Sequence, residues 1–169
     1  MLPADGESVD LGAVLDSSGH VTGVVAVRLE RVAGSLSLAA GFIHGGVAPQ
    51  HFAEWWGYGL FFLGAALAQA VYGLALLTDA VNERDFGAGW RRLRRNVYVA
   101  GIVGNLAIVA LYVVTRTTGI PFFGPEAGEV EEVAFIDVVS KVAELALVGI
   151  LFVLLRRART AAGAEPASV

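Results

Sequence analysis

With 56% hydrophobic and only 17% charged residues, and a mean hydropathy of +0.64, this 169-residue chain carries too few charges to cover a water-soluble domain. The absence of cysteine excludes disulfides, zinc–thiolate sites, iron–sulfur clusters and cysteine nucleophiles. The net charge of −4 excludes little, because where the charges lie matters more than their sum.

Residues 1–23 are acidic, through Asp5, Glu7, Asp10 and Asp16, and lack the basic start, apolar middle and cleavage site of a signal peptide. They read as a cytoplasmic tail with a short helix over Leu11 to Leu15. Residues 24–157 read as a membrane domain. Its first span is the weakest: a run of 17 uncharged residues from Val32 to Ala48, extended backwards through "VVAVRLER", with Arg28, Glu30 and Arg31 at the interface. Trp55 to Leu77 gives 23 residues without a charge, and Asn96 to Val114 gives 19. Val133 to Leu155 gives another 23, interrupted by Asp137, Lys141 and Glu144. Residues 158–169 read as a disordered tail.

Ten arginines lie before span one, between spans two and three, or after span four, against Arg116 alone at the other ends. Basic residues stay in the cytoplasm, so both termini are expected there, with loops 46–54 and 115–132 facing outward across the inner (plasma) membrane. Short connections and the lack of repeats favour an all-α, up-down-up-down four-helix transmembrane bundle.

Asp137, Lys141 and Glu144 share one face of span four, and Asn105 lies at a similar depth in span three. They suggest an inward polar track, either a proton or ion path, a ligand site, or a salt bridge that only orients helices. At the outer end His44 closes span one. His51 opens span two with Glu54 three residues on, and "GGVAPQ" serves as the turn between them. Two imidazoles and a carboxylate are competent ligands for a transition metal such as zinc, copper or iron. A structural turn explains the same residues, and haem held by His44 and His51 from adjacent helices is a weaker variant.

Gly119, Pro121, Gly124 and Pro125 predict a stiff, shaped outer loop. There Arg116 is expected to pair with Glu126, Glu132 or Asp137. Trp55, Trp56, Tyr58 and Tyr112 fit an interfacial aromatic belt.

The segments "HFAEWWGYGLFF", "RTTGIPFFGPEAGEVEEV" and "DVVSKVAEL" together resemble a family of small four-span prokaryotic integral membrane proteins with no assigned activity. The resemblance covers roughly residues 35–155. It implies a membrane protein and brings no catalytic residues.

The leading expectation is therefore an outward-facing polar site binding a metal ion or small ligand. His44, His51 and Glu54 would ligate, Arg116, Glu126, Glu132 and Asp137 would shape the mouth, and Asn105, Lys141 and Glu144 would stand behind. One alternative is an accessory subunit, in a homo-oligomer or larger membrane complex, packing through Gly34, Gly41, Gly45, Gly64, Gly73, Gly101 and Gly104. Another is a proton path along span four. Enzyme motifs are absent, and "RRLRR" is a topology signal rather than a nucleic-acid patch.

Overall fold

The computed structural model describes residues 11–78 and 88–163, so the extreme termini and the 79–87 connection lie outside the described residues. Four helices follow in order: α1 Leu11–Glu54, α2 Trp56–Leu77, α3 Ala88–Thr117 and α4 Phe135–Gly163. Each holds a stretch long and apolar enough to cross a membrane: Val24–Glu54, Trp56–Leu77, Arg92–Thr117 and Phe135–Thr160. Large apolar side chains such as Phe42, Leu67, Val71, Val103 and Val142 face outward, as they must when lipid is the solvent.

Consecutive helices run antiparallel. Helix α1 packs along α2 and α4, and α3 packs along α4. Helices α2 and α3 meet chiefly through side chains: Tyr72 donates to the Val97 carbonyl at 3.2 Å, and Gln69 reaches Asn105. Close approach of α1 and α2 depends on glycine. A Cβ on Gly34 would fall 2.8 Å from the Gly73 carbonyl oxygen, and one on Gly73 would fall 2.7 Å from that of Gly34. Gly41 against Ala66 and Gly101 against Tyr72 are similarly tight, whereas Gly64 and Gly104 face open space.

The turn between α1 and α2 is not where "GGVAPQ" suggested. Helix α1 runs through Gly45, Gly46 and Pro49 to Glu54, and a single extended residue, Trp55 (φ −165°), separates it from α2. The helix continues because its last two turns are packed. Ala48 is buried, His51 stacks on Phe62, and Phe52 lies on Gly59, where any Cβ would collide with its ring. One lost hydrogen bond at Pro49 is outweighed by those contacts. Helix also covers residues 11–23, well beyond the short helix expected over Leu11 to Leu15, and 158–163 after the last span, where a disordered tail was expected.

Two buried polar layers and an apolar plug divide the bundle. Near the arginine-rich end Glu30, 5% exposed, accepts from Arg94 Nε at 3.1 Å and from the Tyr98 hydroxyl. The expected interfacial position of Glu30 is therefore replaced by a buried ion pair. Above it lie Ala33, Leu76, Tyr98, Leu147, Leu151 and Leu154 in one contiguous cluster. The second polar layer follows, centred on Glu144.

Candidate functional site

Helix α3 ends in a glycine stop. Thr118 and Gly119 N–H groups both donate to the Val114 carbonyl, at 3.0 Å each, and Gly119 adopts φ +66°. A Cβ there would sit 2.5 Å from the Glu129 carbonyl oxygen, so only glycine lets the loop fold back on the helix. The loop is tied down at three points. Glu131 N–H donates to the Thr115 carbonyl at 3.1 Å, and the Tyr58 hydroxyl donates to the Phe123 carbonyl at 3.0 Å. Arg116, the third tie, bridges Glu131 and Asp137, the latter at 2.8 Å. Of the expected partners Asp137 is correct. Glu126 and Glu132 are not used, and Glu131 takes their place.

Beneath this strap lies a cavity of about 520 Å³ between α1, α2, α3 and α4. Its walls are apolar and aromatic, including Phe61, Phe62, Ile108, Leu111, Phe122 and Phe123. Glu126 and Glu129 stand at the mouth, and His44, Ser140 and Lys141 form the floor. Glu132, expected at the entrance, is exposed and does not line the cavity.

The floor is held by a hydrogen-bond chain whose direction is set from one end. Asn105 Nδ2 donates to the Gly101 carbonyl at 2.8 Å, an acceptor only. Asn105 Oδ1 therefore faces Gln69 and accepts from its Nε2 at 3.2 Å. The same Nε2 donates to Glu144 Oε1 at 3.3 Å, so Gln69 Oε1 is left to accept from His44 Nδ1 at 2.9 Å. His44 is thereby a donor at Nδ1, and its Nε2 turns to Glu144 Oε1 and Ser140 Oγ, each 3.4 Å away. Ser37 completes the frame by donating to the Gln69 backbone carbonyl at 2.7 Å.

Glu144 is fully buried, and Lys141 Nζ meets its Oε2 at 2.6 Å as a charge contact; no other donor reaches that oxygen. The Tyr112 ring meets both cations, with Lys141 Nζ 5.5 Å and the Arg116 guanidinium carbon 5.1 Å from its centroid. Tyr112 thus joins the site instead of only a surface belt.

The structure brings together His44, Asn105, Lys141 and Glu144 in one network and places Arg116 and Asp137 above it. His51 stands apart. It lies on α1, the same helix as His44, seven residues on and so about 10 Å further along the axis. Its Nδ1 is 2.7 Å from Glu54 Oε2, and its ring stacks on Phe62 at 4.0 Å. The expected adjacent-helix arrangement of the two histidines, on which an axial haem pair relied, is not formed. Among the described residues no group of three or more His, Asp or Glu side chains is placed to hold a metal ion. Gln69, Ser140 and Ser37 were not among the expected site residues. The usable signal was Gln69 itself, the sole hydrogen-bonding amide in an otherwise apolar span, which must find partners once buried.

No family model, curated protein or solved structure matches the chain. What stands is a small membrane protein with four candidate spans and a buried polar cluster; no family is identified.

Proposed function

We propose that this protein is a membrane-embedded binding protein whose outward-facing cavity takes a small, lipid-soluble ligand. The observation that carries this reading is the cavity itself. At about 520 Å³ it falls within the size range of small-molecule sites, and it joins apolar, aromatic walls to a few convergent polar groups at one end. The network beneath holds His44, Ser140 and Lys141 in place through contacts among its own residues, so that end of the cavity is preorganised for a ligand. The arginine-rich connections at the opposite end support an outward mouth. The leucine cluster below Glu144 disfavours the alternative of a proton path through the membrane.

Native mass spectrometry of protein released from its own membranes tests the reading. A bound small molecule is expected on the natural chain. Ile108→Trp, which fills the cavity, should lower its occupancy at least tenfold (about 1.4 kcal/mol) while leaving the helical signal intact. Equal occupancy in both proteins would remove the cavity from the account.

A further inference from the structure

The chemistry of the occupant follows from which hydrogen-bonding and charged groups remain uncommitted around the cavity. Four carboxylates line it, Glu126, Glu129, Glu131 and Asp137, against two cations, Arg116 and Lys141. Among the described residues neither Glu126 nor Glu129 has an ion-pair partner, so the mouth is acidic and opposes an incoming anion.

The floor opposes a cation for a different reason. Among the described residues no carboxylate lines it: the floor residues are His44, Ser140 and Lys141, and Glu144 is fully buried behind them, outside the cavity wall, with Oε1 taking Gln69 and Ser140 and Oε2 only the Lys141 charge contact. Donors are in surplus there. The Lys141 ammonium has three N–H groups and meets Glu144 Oε2 as a charge contact only, so it lines the cavity with its charge balanced and its donors uncommitted. A group that accepts hydrogen bonds and bears no net charge satisfies both ends of the cavity, and the aromatic walls suit a flat, apolar body.

Resting on the ligand-pocket reading, we infer that the ligand is an uncharged, carbonyl-bearing amphiphile whose carbonyl oxygen accepts from Lys141. The test uses the full chain in phosphatidylcholine nanodiscs and three probes with the same decyl tail: a decyl-benzoquinone, decanoate and decyltrimethylammonium. Binding is read by native mass spectrometry. The quinone should bind at least tenfold more tightly than either charged probe. Lys141→Met should weaken it about tenfold, as expected for one hydrogen bond to a charged donor, and Lys141→Arg should retain it. Tighter or equal binding of decanoate or the ammonium would overturn the inference, as would an unchanged quinone affinity in a folded Lys141→Met protein. Should that variant not fold, the ranking of the probes on the natural chain decides. The two readings fail differently. Probes that bind equally to the natural chain and are all excluded by Ile108→Trp sink the carbonyl class alone; probes that Ile108→Trp does not exclude sink the pocket as well.

Discussion

Lys141 and Glu144 form an ion pair at 2.6 Å, three residues apart on α4, and only the lysine end of the pair reaches the cavity. A buried carboxylate in this position is compensated because the ammonium meets one of its oxygens while Gln69 and Ser140 donate to the other. Glu144→Leu leaves the ammonium without its counter-charge and should cost about 3 kcal/mol. Combining it with Lys141→Leu removes both charges and should recover most of that loss. Unfolding by SDS titration, followed by circular dichroism, gives the coupling from the four proteins; strictly additive effects would show that the pair is not a unit.

The crossing of α1 and α2 makes a sharper forecast. Gly34→Ala places a methyl 2.8 Å from the Gly73 carbonyl and from Leu77 Cγ, so the helices must separate. A loss of about 1–3 kcal/mol is expected, as for overpacking in a close-packed core. Gly64→Ala and Gly104→Ala meet nothing within 4 Å and should be neutral or slightly stabilising through helix propensity. The same SDS titration ranks all three.

Arg116 governs the loop more than the bundle. Its side chain joins α3 to Glu131 on the loop and Asp137 at the start of α4. Arg116→Met keeps the stem but leaves two acids side by side without a cation. Hydrogen–deuterium exchange of 118–134 should accelerate at least tenfold, while the spans stay protected. Unchanged loop protection would mean that Tyr58, Gly119 and the backbone bonds suffice.

Orientation has a direct test because the natural chain contains no cysteine. Ala127→Cys, on the exposed loop, should react in intact cells with a membrane-impermeant maleimide. Ala158→Cys, beside the arginines at the end of α4, should react only after lysis. The reverse pattern would turn the cavity towards the cytoplasm.

Hydropathy made the spans legible, since uninterrupted apolar runs have few other uses. The shared face of Asp137, Lys141 and Glu144 was legible for a related reason: helical spacing places them together whatever the neighbours do. Partners from other helices were not legible. Nothing in the spacing aligns Gln69 with His44, because their meeting depends on where α1 stops, and "GGVAPQ" looks locally like a turn. Packing of His51 and Phe52 against Phe62 and Gly59 overrides that local signal and moves the hairpin to Trp55. This shift also puts both histidines on one helix, which is why a two-helix ligand pair could be imagined from the sequence and is not assembled by the chain. Glu30 misled likewise. Its buried position depends on Arg94 and Tyr98, both more than sixty residues away.

The leucines under Glu144 carry one more implication. A chamber closed at its inner end is a cul-de-sac: whatever diffuses in must retrace its route, and residence is governed by the concentration in a single compartment. In this conformation the molecule suits a gauge or a reservoir better than a conduit. Net passage to the far side would demand that α4 slide Leu147 and Leu151 out of their packing in the cluster with Ala33, Leu76 and Tyr98.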